Sequence, residues 1–134
     1  MKTLALNTFV AFENTVVPTS EEQIQNMIIG LTHGLDDDLF LVLYTVAADN
    51  YIGFSILTPR SGDRTRSVSM AELALANNAD GALVYHLIIS PRSLMHETRM
   101  MAEIDGTMAE AHVNLMDYGF IRKDKVHSFV DVTI

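Results

Sequence analysis

The chain has 134 residues, 49% hydrophobic and 19% charged, with 9 lysines and arginines against 17 aspartates and glutamates, a net charge of −8 and no cysteine. That length fits one domain, residues 1–134, the composition excludes a disordered chain, and the acidic balance excludes general attraction to nucleic acid or an anionic membrane. Lacking cysteine it can form neither a disulfide nor a thiolate metal site, and no apolar run approaches the roughly 20 residues of a membrane span, so it reads as soluble and cytoplasmic.

Residues Leu4 to Val17 mix apolar, polar, β-branched and aromatic types and read as an N-terminal arm or edge strand within 1–17, closed by Pro18. Thr19 with Glu22, or Ser20 with Gln23, has the spacing of a capping box. Ile24, Met27, Ile28 and Leu31 follow at helical period, which predicts an amphipathic helix ending at Gly34. His33 falls in its last turn, where positive charge suits the helix dipole.

Beyond Asp36-Asp37-Asp38, the run Leu39 to Val46 is continuously apolar, the pattern of a strand buried on both faces. Asp49-Asn50 has the chemistry of a hairpin turn, and the return strand Tyr51 to Thr58 places Ile52, Phe54 and Ile56 on one face. So apolar a hairpin belongs in the middle of a sheet. Residues Pro59 to Ser67 read as a polar loop whose Arg60, Arg64 and Arg66 are candidates for contact with an anion or a protein partner.

Ser69 and Glu72 form a second capping-box pair, starting a short helix with Met70, Leu73 and Ala74 that ends at Asn77-Asn78. Gly81 opens a strand from Ala82 to Ile89, stopped by Pro91, with His86 near its end. Glu97, Met101, Ile104, Met108 and Ala111 share one face of a further helix, a core-facing stripe rich in methionine. Val113 to Ile121 and Val126 to Ile134 read as strands joined around Arg122 to Lys125, with His112 and His127 structural or surface residues near their ends. The fold class is α/β: a mixed sheet with helices packed against it in three layers.

Three pieces of this order carry a resemblance. They are Leu39 to Leu57 with Asn50 in its turn, Asn78-Ala79-Asp80-Gly81-Ala82-Leu83-Val84-Tyr85-His86, and Val113-Asn114-Leu115-Met116-Asp117-Tyr118. Together, over about Pro18 to Phe129, the chain resembles the JAB/MPN (JAMM) metalloprotease-like superfamily and, within it, the RadC-like branch. The resemblance implies a JAB/MPN-like fold with a cytidine-deaminase-like three-layer arrangement.

Active members of that superfamily hold zinc with two histidines of a His-x-His-Pro motif and a downstream aspartate, while an upstream glutamate activates the bound water. Carried over, the first histidine is His86, the second position is Ile88, the proline is Ile89 and the following serine is Ser90. The downstream acid falls on Arg99 or on Glu97, depending on the direction of counting. The upstream glutamate has no counterpart in Gly53-Phe54-Ser55-Ile56-Leu57. His86 and Glu97 are therefore the candidate metal ligands, one histidine short of the family set, and His96 would complete it only if the shortened loop folds back toward His86.

The resemblance thus implies a catalytically inactive domain without a cofactor, acting as a protein-interaction or assembly module, in a homodimer or with another protein. The alternative is a metal-dependent hydrolase with a zinc site remodelled around His86, Glu97 and His96. Ser90, His86 and Glu97 can be written as a nucleophilic triad, but no nucleophile-elbow pattern surrounds Ser90. The RadC-like likeness also raises DNA association, against which the acidic charge argues. The apolar strand Val126 to Ile134 would leave an edge for a second copy to pair with, or for the N-terminal arm to cover.

Overall fold

The computed structural model of the protein describes residues 5–36, 38–58, 60–61, 64–88 and 94–129. In chain order the elements are β1 (Val10–Val16), α1 (Glu21–Thr32), β2 (Phe40–Val46), β3 (Asn50–Leu57), β4 (Arg60–Ser61), β5 (Arg64–Thr65), α2 (Arg66–Ala76), β6 (Gly81–Leu87), α3 (Leu94–Glu110), β7 (Asn114–Arg122) and β8 (Lys125–Ser128). Six strands form one mixed sheet in the order β1-β3-β2-β6-β7-β8, and β4 pairs with β5 in a separate hairpin. Among the described strands only β6 and β7 pair in parallel, and α3 supplies the crossover that a parallel step requires.

The period-2 geometry of the strands decides the layers. Phe40, Val42 and Tyr44 of β2, with Ala82 and Val84 of β6, pack beneath Met70 and Ala74 of α2 and Met100, Ile104 and Met108 of α3. Leu41 and Leu43, with Leu83, Tyr85 and Leu87, pack beneath Ile28 of α1. Both faces of β2 and β6 are covered, which is why their sequences are continuously apolar, and the expected mixed sheet between layers of helix is present. Each large aliphatic side chain sealed this way contributes about 1.5–3 kcal/mol.

Local expectations fared unevenly. At α1 the cap is Ser20, whose Oγ accepts from the Gln23 amide at 3.2 Å, while the Gln23 side chain accepts from the Thr19 amide at 2.9 Å. The β2–β3 turn is built on Ala47 and Ala48, at φ 53° and 70°, and not on Asp49-Asn50. A left-handed alanine is costly, and tertiary contacts hold it: the Ala47 amide donates to the Asp80 carboxylate at 3.2 Å, and the Asp80 amide to the Thr45 carbonyl at 3.1 Å.

Ile52 does not share a face with Phe54 and Ile56. The register steps from Tyr44 opposite Gly53 to Thr45 opposite Tyr51, so Ile52 is the extra residue of a bulge and packs on the α2/α3 side, while Phe54 and Ile56 lie on the α1 side. The segment holding the three arginines is a short hairpin running straight into α2, with Arg66 as its first helical residue. Thr65 is the N-cap, so Ser69 and Glu72 do not form a capping box; Ser69 is instead buried. In α3, Met100 joins the expected buried stripe, while Met101 and Ala111 are only partly covered.

Of the first 17 residues, Val10–Val16 form an edge strand beside β3. That is the opposite end of the sheet from β8, so among the described residues the arm does not cover β8. β8 itself ends at Ser128, and Phe129 turns into the core, 2% exposed, with its ring edge-on to Tyr118 at 5.6 Å. The remainder of the expected strand, 130–134, lies outside the described residues. Gly119 is required where β8 docks on β7, because a Cβ there would collide with the carbonyl of His127. No helix among the described residues is long and apolar enough to cross a membrane.

Candidate functional site

His86 occupies the penultimate position of β6, opposite Phe40 of β2 on one side and Phe120 of β7 on the other. The segment ahead of β2 is laced to the same strand end: the Asp38 amide donates to the Leu87 carbonyl at 2.8 Å, and the Leu87 amide to the Leu39 carbonyl at 2.8 Å. Asp38 takes a left-handed conformation, φ 67°, that aspartate tolerates. The first turn of α3 brings Glu97 over the strand from the other direction.

These placements enclose the imidazole completely. His86 is 0% exposed, and its ring stacks on Phe40 with 4.3 Å between centroids and an interplanar angle of 1°. Nδ1 lies 2.5 Å from Glu97 Oε1, and Nε2 lies 2.6 Å from Asp38 Oδ1. The Tyr118 hydroxyl donates to the second Glu97 oxygen at 3.0 Å. The Arg66 guanidinium stands 5.0 Å from the Phe40 ring centroid, a cation–π distance.

Each ring nitrogen thus faces one carboxylate oxygen at hydrogen-bonding distance, Nδ1 toward Glu97 and Nε2 toward Asp38. Glu97 is 3% exposed, and burial alone would raise its pKa. The hydrogen bond and charge of His86, with the Tyr118 hydroxyl, outweigh burial and hold the carboxyl below the usual glutamate range. Burial, followed by the neighbouring Glu97 charge, pushes the Tyr118 phenol far up, so it remains a donor.

This arrangement does not fit a zinc site. Zinc takes a lone pair from a histidine nitrogen and oxygen or nitrogen ligands at about 2 Å, with one position left open for water. Here each imidazole nitrogen is directed at a carboxylate, and both Glu97 oxygens are already engaged. Among the described residues no group of three histidine, aspartate or glutamate side chains is placed to hold an ion.

Of the sequence-derived candidates, the structure brings His86 and Glu97 together and leaves His96 exposed on the outside of α3, contributing charge to Glu97 from a distance. Arg99, the other position for the downstream acid, is exposed with its guanidinium 3.5 Å from the Met95 sulfur. Ile88 is buried, and Ile89 and Ser90 lie outside the described residues. For Arg60 and Arg64 the structure describes the backbone only, while Arg66 packs toward the core, so the three do not form one described cationic surface. His33 is exposed and meets Asp124 at 3.1 Å, His112 is an exposed left-handed residue after α3, and His127 stacks on Phe120 at 4.7 Å.

Sequence reasoning missed Asp38 and Tyr118. Asp38 sits in a run of three aspartates that reads as a solvated loop, and nothing local connects it with a histidine 48 residues away. Tyr118 carried a weak signal, as a hydroxyl on the face of β7 that also bears Phe120.

A second polar cluster lies on the opposite face of the sheet. The Tyr85 hydroxyl donates to Asp117 Oδ2 at 2.6 Å, and Ser128 Oγ to Asp117 Oδ1 at 2.7 Å. They border a cavity of about 130 Å³ beneath α1, also lined by Glu21, Gln25 and Ile28. No protein-family model matches this chain, and no curated protein matches it.

Proposed function

We propose that the chain is a catalytically inactive JAB/MPN-like domain, similar to the RadC-like branch, that works as a protein-interaction or assembly module. What carries this reading is His86: the histidine that the resemblance assigns to metal has both nitrogens committed to carboxylates, Asp38 and Glu97. The segment Gly53 to Leu57 offers no carboxylate to activate a water, and Ile88 stands where a second histidine would be needed.

The cluster has a structural use in place of a catalytic one. It joins side chains from the segment before β2, the end of β6, the first turn of α3 and the middle of β7. A buried ionic group is seldom a net source of stability, because desolvation offsets its attraction, but it penalises any packing that separates the partners. A fixed frame of this kind suits a surface that recognises another protein.

Metal analysis tests the reading. Purified protein is expected to carry no stoichiometric zinc and to take up none on titration. Stoichiometric zinc that is lost in His86→Ala would overturn it in favour of a metal-dependent hydrolase remodelled around His86, Glu97 and His96. The self-association form of the proposal is checked by light scattering at increasing concentration, where a rise in mass toward a dimer is expected.

A further inference from the structure

The chain has eight methionines and no cysteine, so a hydroperoxide that oxidises sulfur finds only thioethers. What surrounds each sulfur differs. Met70, Met100 and Met108 are buried in the α2/α3 core. Met95 is 64% exposed, and its sulfur lies 3.5 Å from the Arg99 guanidinium, one turn along the same helix. Met116 combines access with a structural contact: its side chain is partly exposed, yet its sulfur accepts a hydrogen bond at 3.3 Å from the hydroxyl of Thr45 in β2, which is 0% exposed.

β6 lies between β7 and β2, so Met116 reaches Thr45 across a whole strand. It does so at Gly81, the residue opposite Thr45, and from the bulge where Ala82 faces Leu115 and Leu83 faces Asp117. A Cβ at Gly81 would stand 2.6 Å from Thr45 Oγ1 and 2.8 Å from Met116 Sδ, so the hydroxyl and the sulfur fill the space that the glycine leaves. The next two residues anchor the polar clusters of the two faces, Asp117 to Tyr85 and Ser128, and Tyr118 to Glu97.

We infer that Met116 is a modification site at which a hydroperoxide forms the sulfoxide, and that this loosens the β6–β7 pairing around the bulge. A sulfur lone pair attacks the outer peroxide oxygen. The O–O bond breaks, an S–O bond forms, and the other oxygen takes the proton of the transferred hydroxyl and leaves as water or an alcohol. Sulfur loses two electrons and the peroxide gains them. The sulfoxide sulfur no longer accepts the Thr45 hydrogen bond, and its oxygen can replace it only by entering the filled space at Gly81. Otherwise a buried donor is left without a partner. Both outcomes weaken the join of β2, β6 and β7 at its bulged point, immediately before Asp117 and Tyr118.

The test treats the full chain with rising doses of hydrogen peroxide, locates oxidation by mass spectrometry of its peptides, and follows backbone amide exchange on the same samples. Met116 is expected to oxidise after Met95 and before Met70, Met100 and Met108. Once it has, the amides of Gly81 to Leu83 and Leu115 to Tyr118 should exchange at least about tenfold faster, the scale set by orphaning one buried donor. Met116→Leu keeps the volume and removes the oxidisable sulfur, so doses that oxidise Met95 should leave its exchange unchanged. Thr45→Val removes the donor, and it should oxidise at Met116 with no acceleration over its own untreated sample. Met95→Leu should leave the whole response intact.

Met116 still unoxidised when Met70 or Met108 has reacted overturns the inference, and so does complete oxidation of Met116 with unchanged exchange; wild type alone decides both. Equal acceleration in treated Met116→Leu also overturns it, because the effect would then come from another methionine. Acceleration that persists in Thr45→Val removes the hydroxyl contact as its cause.

Discussion

Tyr85 and His86 are consecutive residues of β6, yet their side chains enter opposite layers, and each anchors a polar cluster in an otherwise apolar core. On the α2/α3 side, His86 is fully buried between Glu97 and Asp38, with the Phe40 ring flat against it. On the α1 side, Tyr85 donates to an Asp117 carboxylate that also accepts from Ser128 and borders a cavity of about 130 Å³. The first cluster is sealed at His86 and Glu97 and reaches solvent at Asp38, whose side chain is 41% exposed. The second holds one carboxylate satisfied by neutral hydroxyls, with space beside it for rearrangement, so the same backbone carries a rigid polar contact on one face and an adaptable one on the other.

The sharpest way to break this contrast is Glu97→Ala. Removing the Glu97 carboxylate leaves two buried groups, His86 Nδ1 and the Tyr118 hydroxyl, without their partner while Asp38 still holds Nε2, and the expected loss is about 1–3 kcal/mol for each, read from the denaturant midpoint. A loss under about 1 kcal/mol would mean that water reaches the two groups that Glu97 leaves behind.

Acid should act on the same cluster with a smaller effect. Because the folded-state pKa of Glu97 lies below its ordinary value of 4.5, its stabilisation is complete above that pH and is lost as the pH falls through the lowered folded value. Wild type should therefore lose stability more steeply than Glu97→Gln in thermal melts below pH 4.5. Parallel acid limbs would show that other carboxylates dominate there.

The contrast between the faces was only half legible in the sequence. The layering was visible, because a two-sided strand such as Leu39 to Val46 and helices such as Ile24 to Leu31 show their burial in the spacing of apolar residues. What escaped were features set by distant partners. Asp38 is positioned by backbone hydrogen bonds to Leu87, far away in sequence. The alanine turn at Ala47 and Ala48 depends on Asp80, and the bulges at Ile52 and Met116 shift side chains to another face with no local warning. The bulge puts Met116 on the Tyr85 side together with Asp117, whereas strict alternation from Tyr118 would place it on the α2/α3 side. Phe129 falls inside the expected C-terminal strand, but β8 stops at Ser128 and the Phe129 ring is drawn inward against Tyr118 and Phe120.

Tyr85→Phe carries the smallest expected effect and separates the two clusters most cleanly. It removes the 2.6 Å hydrogen bond to Asp117 without changing the packed ring. The Asp117 carboxylate keeps Ser128 as a donor at 2.7 Å, and the adjoining cavity has room and polar lining for a water to replace the lost hydroxyl. The cost should therefore be that of an exchanged neutral hydrogen bond, about 0.5–1.5 kcal/mol, and not that of an orphaned buried charge. Tyr85→Phe combined with Ser128→Ala should lose more than the sum of the single changes, because each hydroxyl compensates for loss of the other through Asp117. Should Tyr85→Phe alone cost as much as Glu97→Ala, the cavity would not be admitting water, and both faces of β6 would have to be regarded as equally closed.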